Sequence, residues 1–115
     1  MPRLFSYGSL QQEEVQLATF GRKLDGEQDL VNGYEPSLVK ITDRTVAERL
    51  KKTHHDNIRP TGDDWSSVQG TSFDVSDEEL AKADQFESQY NYTRIKVTLA
   101  SGNDAWVYIH SEGAS

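Results

Sequence analysis

The 115-residue chain has no cysteine. Disulfide frameworks, thiolate zinc sites and cysteine nucleophiles are therefore excluded, and the redox compartment is left open. It also lacks any run of about 18 apolar residues, so no transmembrane helix is expected. The opening MPRLFSYG has no apolar core of the signal-peptide kind. The expectation is a soluble cytoplasmic protein. Basic residues are scarce: 12 Lys and Arg face 19 Asp and Glu, a formal charge of -7. A nucleic acid or an anionic membrane would be repelled at long range, and neither is expected as a partner. The single basic cluster is the short Arg49, Lys51, Lys52 group.

What is present suits a small folded core. Hydrophobic residues make up 35 % of the chain, with two Trp, five Tyr and four Phe. At this length that composition fits one α+β domain over residues 1–115 rather than a disordered chain. Leu4 to Tyr7 forms a short strand-like run stopped at Gly8. Ser9, followed three residues later by Gln12, has the spacing of a capping box, so the pattern reads strand, glycine turn, helix start. Such a junction turns free backbone N–H groups outward, where an anion such as a carboxylate can bind. The same residues also serve ordinary turns, because Gly tolerates positive φ and Ser caps well.

The helix is predicted to run to Phe20 and stop at Gly21, followed by a polar connector from Arg22 to Glu27. Leu30 to Tyr34 and Leu38 to Ile41 read as strands around a turn at Glu35-Pro36, with Pro36 favouring an edge. Residues 42–67 are strongly polar. Thr45 to Lys52 could form two helical turns, and 53–66 reads as a surface loop or insertion in which Trp65 anchors the loop over the core or flanks a site mouth. His54, His55 and Asp56 are metal-ligating in type. Adjacent histidines diverge in regular structure, however, and no further ligand stands at a usual spacing, so no metal is assigned.

Val68 to Val75 reads as a strand in which Gly70 marks a bulge or the close approach of another backbone. Ser76 and Glu79 form a second capping box, and Leu80, Ala83 and Glu87 follow at steps of three and four on one helical face. Glu87 is thus predicted to look inward, where a charged, unpaired acid costs several kcal/mol unless it is bonded, neutralised or used in chemistry. Fraying of the helix before Glu87 would instead leave it in water. Ile95, Val97 and Leu99 alternate along a strand that returns as Ala105 to His110 through Ser101 to Asp104. A tight loop would set Leu99 opposite Trp106 and Val97 opposite Tyr108. The Tyr108 hydroxyl would then need a partner: a ligand, Glu87 or a backbone carbonyl.

Taken together, Phe5-Ser6-Tyr7-Gly8-Ser9-Leu10, Val68-Gln69-Gly70, Leu80 with Ala83 to Glu87, Tyr92-Thr93-Arg94 and Ala105 to Tyr108 resemble the γ-glutamylcyclotransferase-like (AIG2-like) superfamily. The resemblance implies a small mixed β-barrel with flanking helices. It also implies an enzyme that cyclises a γ-glutamyl group, releases an amine or amino acid, and forms 5-oxoproline without cofactor or metal. Under it Tyr7, Gly8, Ser9 and Leu10 hold the γ-glutamyl group, Glu87 is the acid/base, Tyr108 faces the site, and Tyr92 and Arg94 shape it. The family often has Gly after the catalytic Glu, where this chain has Ser88. Residues 42–67 align with nothing in the family, and they are expected to supply part of the wall that selects the leaving group. Ser9 is not expected to be a nucleophile, since no Asp-His pair stands at a workable spacing. The alternative is a non-catalytic module that binds small carboxylates on the same scaffold, with a purely structural interaction protein as a third option.

Overall fold

Seven strands and three α-helices alternate through residues 2–63 and 65–110, the residues that the computed structural model describes. β1 (Arg3–Ser6), β2 (Gly26–Asn32), β5 (Ser67–Asp74), β6 (Tyr92–Thr98) and β7 (Asp104–His110) form one sheet in the order β2-β5-β1-β7-β6. All its neighbours are antiparallel except β1 and β7. β3 (Tyr34–Lys40) and β4 (His54–Pro60) make a separate antiparallel pair. The helices are α1 (Glu13–Phe20), α2 (Arg44–Leu50) and α3 (Asp77–Ser88). Among the described residues no helix is long and apolar enough to cross a membrane.

β1 sits at the centre and is buried on both faces. Leu4 packs with Leu10, Phe20, Leu80 and Ala83 beneath α1 and α3, while Phe5 packs with Val31, Ile58 and Val107 on the opposite face. Burying such side chains stabilises the fold by about 1.5–3 kcal/mol each. Gly70 makes this arrangement possible. A Cβ there would lie 2.3 Å from the Ser6 carbonyl oxygen and 2.6 Å from the Phe5 ring, which is the close backbone approach that the sequence suggested. The sheet curls until its outer edges touch: Leu99, just past β6, forms one antiparallel bridge with Val31 of β2. Beyond that bridge the edges are joined by the Ser101 amide and hydroxyl donating to Asp29 at 3.3 and 2.6 Å, and no further ladder links them among the described residues, so the mixed α+β fold is a curled sheet rather than a closed barrel.

Several local expectations are corrected. Ser9 does not cap a continuous helix: Ser9–Gln11 is a 3₁₀ turn, Gln12 is extended, and α1 begins at Glu13. Burial of Leu10 at 2 % exposure, together with a 2.8 Å bond from Gln16 Nε2 to the Leu10 carbonyl, outweighs helical continuity there. β2 starts at Gly26, inside the expected connector. The turn before β3 falls at Gly33, whose φ of +82° lets the chain pass from one sheet to the other, and Pro36 lies within β3. That strand belongs to a two-stranded sheet, where a proline is tolerated.

Residues 53–66 are not a loop throughout. His54–Pro60 is β4, and its alternation is hard to see because His55 and Asn57 are the buried residues alongside Ile58. Trp65 is 88 % exposed and covers no core. The final hairpin is offset by three residues, with Lys96 opposite Trp106 and Arg94 opposite Tyr108. An odd offset exchanges the faces. Trp106 and Tyr108 therefore join the core beneath the helices, while Val97 and Ile95 lie on the other side with Ala105 and Val107. The cause is Leu99, which leaves the ladder to be buried against Val31, its amide closing the loop onto the Asn103 carbonyl at 2.8 Å.

Candidate functional site

α3 carries the central side chain. Its start is fixed by the expected capping box, with the Glu79 amide donating to Ser76 Oγ at 3.0 Å and the Ser76 amide donating to Glu79 Oε1 at 2.9 Å. Arg22 donates to both oxygens of Glu79 at 2.7 and 2.9 Å and holds that carboxyl down at about 2. From this start Leu80, Ala83 and Glu87 follow on the buried face, and the helix does not fray before Glu87. Glu87 is 8 % exposed. Burial pushes its carboxyl up to about 7, against the opposing pull of the Lys52 charge. Among the described residues its carboxylate makes no hydrogen bond or ion pair.

Glu87 lines a cavity of about 600 Å³ that is also lined by the turn from β1 into α1, Tyr7 through Gln12. The backbone of this turn is partly committed to itself. The Gly8 amide donates to Ser6 Oγ at 3.3 Å, and the Gln11 and Gln12 amides donate to the Gly8 and Ser9 carbonyls at 3.1 and 3.0 Å. The Ser9 and Leu10 amides have no such partner among the described residues. Two adjacent backbone donors of the cavity lining are thus uncommitted. Gln16 fixes the turn from behind, donating to the Leu10 carbonyl and accepting from the Leu24 amide, both at 2.8 Å.

Of the residues singled out in the sequence, Tyr7, Gly8, Ser9, Leu10, Glu87, Tyr92 and Tyr108 all line this one cavity. The three tyrosine hydroxyls are engaged elsewhere. Tyr7 donates to the Tyr108 carbonyl at 2.6 Å, and Tyr92 donates to the Asp56 carbonyl. Tyr108 donates mainly to Asp84 Oδ1 at 2.7 Å, with the Leu80 carbonyl at 3.5 Å, so Glu87 is not its partner. Burial raises the pKa of all three phenols, keeping them neutral. Arg94 does not line the cavity. It lies over the Trp106 ring at 4.6 Å and 3.6 Å from Asp84, and so steadies the carboxylate that holds Tyr108.

Leu50, Lys52, His55 and Asp56 complete the lining from the polar 42–67 segment, in which the sequence alone showed no family motif. The sequence placed a wall there without naming its residues, because polar side chains facing inward carry no apolar periodicity. Phe86 and Tyr90 also line the cavity, one on each side of Glu87 in the chain. The histidine pair is split: His54 is exposed beside Thr53, while His55 is buried and stacked on His110 at 5.2 Å. Among the described residues no three His, Cys, Asp or Glu side chains are grouped to hold a metal ion.

A family model described as gamma-glutamyl cyclotransferase, AIG2-like, matches residues 4–115. No curated protein matches the sequence. Among solved structures, the chain is similar to an Arabidopsis thaliana protein determined in solution, with a TM-score of 0.72 and 21 % identity over 99 % of this chain. It is also similar to a protein named gamma-glutamyl cyclotransferase, with a TM-score of 0.71 and 14 % identity over 95 % of this chain. An uncharacterized protein from Homo sapiens gives a TM-score of 0.68 at 14 % identity over the same share. The chain spans 64 % of the first of these structures and 66 % of each of the other two. At such identities the likeness establishes the fold.

Proposed function

The chain belongs to the gamma-glutamyl cyclotransferase, AIG2-like family, and from that premise we propose that it is an enzyme that converts a γ-glutamyl compound into 5-oxoproline and a free amine. The observation that supports this reading is the buried Glu87 carboxyl, near 7, lining the same cavity as a turn with two uncommitted amides. In the reaction the substrate's own α-amine attacks its γ-carbonyl carbon. A C–N bond forms to close the five-membered ring, and the C–N bond to the leaving amine breaks. Glu87 takes a proton from the attacking amine and returns it to the departing nitrogen, so the protein supplies no nucleophile.

The environment suits this role. A carboxyl near 7 is divided between its two forms at neutral pH, so it can accept a proton and then give it up, whereas an ordinary carboxylate is a poor acid there. The Ser9 and Leu10 amides would anchor an oxygen of the glutamyl half, bending the chain so that amine and carbonyl meet; this proximity lowers the barrier of an intramolecular attack. Phe5, Leu10, Val15 and Phe86 contribute apolar surface to the cavity lining, which favours the raised pKa of Glu87. Tyr108 acts as a wall, its hydroxyl being held by Asp84.

The test is to incubate the protein with γ-glutamyl amino acids, a γ-glutamyl alkylamide and a γ-glutamyl dipeptide, and to quantify 5-oxoproline. Time-dependent release from at least one compound is expected. Saturable binding of these compounds with no release would replace the enzyme by a carboxylate-binding module.

A further inference from the structure

The wall formed by the end of α2 and the start of β4 brings one cation to the cavity. Lys52 is the only Lys or Arg among its lining residues, of those described. Its backbone is fixed: Lys51 takes the left-handed conformation at the end of α2 (φ 55°), and the Lys52 amide donates to the Ala47 carbonyl at 3.2 Å. The side chain forms no ion pair among the described residues, although the protein carries an excess of acids. Asp56, the other charged residue of this wall, forms none either, and its carbonyl is occupied by the Tyr92 hydroxyl. The Lys52 charge is felt at Glu87, so it lies within electrostatic reach of the group that would handle the departing nitrogen.

We propose that Lys52 is a specificity residue that pairs with a carboxylate on the leaving half of the substrate, making γ-glutamyl amino acids the preferred class over γ-glutamyl derivatives of simple amines. This rests on the function proposed above. With the glutamyl half held at Ser9 and Leu10 and the scissile amide beside Glu87, the leaving half extends toward α2 and β4. In a γ-glutamyl amino acid a carboxylate stands one carbon from the departing nitrogen, within reach of a flexible ammonium on that wall. An alkylamide leaves the cation without a partner and forfeits a charge-assisted bond.

The experiment compares γ-glutamylalanine with γ-glutamylethylamide, which differ by that carboxylate alone. Selectivity is read as the ratio of the two kcat/KM values, in which any effect of Lys52 on Glu87 cancels. A preference of about tenfold or more for the alanine compound is expected, falling toward unity in Lys52→Met and partly retained in Lys52→Arg. Dissociation constants of the same pair, measured by calorimetry on the Glu87→Gln protein with and without Lys52→Met, read the same contrast without turnover. If the wild type releases no 5-oxoproline but the binding contrast depends on Lys52, the catalytic reading fails and the Lys52 assignment stands. A ratio unchanged by Lys52→Met overturns the assignment, because Lys52 would then serve the glutamyl half common to both compounds. Equal binding, or none, by the two compounds overturns it as well.

Discussion

A single carboxyl links stability to chemistry in this protein. Glu87 has its folded value raised to about 7 from an ordinary 4.5, with burial as the main cause. The folded state therefore holds a proton that the unfolded chain has already released between these values, and stability falls as pH rises through that window. Below 4.5 both states are protonated and nothing is lost, whereas above 7 the loss is complete, at about 3 kcal/mol. Glu87→Gln keeps the shape and removes the ionisation. Chemical denaturation should show the variant more stable than the wild type at pH 8 by up to that amount, with the difference shrinking toward zero at pH 4. A wild type that is equally or more stable at pH 8 would mean that Glu87 is solvated. In the active protein kcat/KM should rise with pH through a limb near 7, as the base form of Glu87 accumulates.

At the scale of elements, α3 and the β1–β5 pair hold the site in place. Ser76→Ala removes the Oγ that accepts from the Glu79 amide and should cost about 1 kcal/mol, lowering the thermal midpoint by several degrees while leaving the Glu87 pH limb in place. Gly70→Ala is expected to do more harm, because the new methyl meets the Ser6 carbonyl oxygen and the ring of the fully buried Phe5, neither of which can yield. A loss of about 1–3 kcal/mol, measured by denaturant titration, should be accompanied by a rise in KM, since Ser6 leads directly into the cavity-lining turn. Unchanged stability would show that β1 and β5 can separate without cost. These two elements were also the readable ones. The capping box, the inward face through Glu87 and the role of Gly70 follow from local spacing, which is what a helix start and a close strand contact depend on. β4 was not readable: His55 and Asn57 face inward as polar residues, so the period-two signal that identifies a strand is missing. The hairpin register was missed for a different reason. Leu99 is claimed by Val31, distant in the chain, and no local turn pattern reports that.

At the scale of the whole molecule, the curled sheet is what turns dispersed residues into a cavity. Tyr7 to Leu10, Tyr92 and Glu87 come from three separate stretches, and β1, central in the sheet, carries the turn to the end of α3. The sequence located these residues by their motifs, and the fold places them around one space. The wall from Leu50 to Asp56 depends on the β3–β4 pair reaching across to that space, with the Tyr92 hydroxyl fastening β6 to the Asp56 carbonyl. This is long-range pairing, which no single stretch encodes. The central claim is that Glu87 moves the proton of a cyclisation. The most direct measurement is the rate of 5-oxoproline release from a γ-glutamyl amino acid by the wild type and by Glu87→Gln, with binding of the substrate to both proteins measured in parallel. The account predicts a loss of at least about a hundredfold in kcat with binding retained. Release by Glu87→Gln at a rate close to that of the wild type would contradict it.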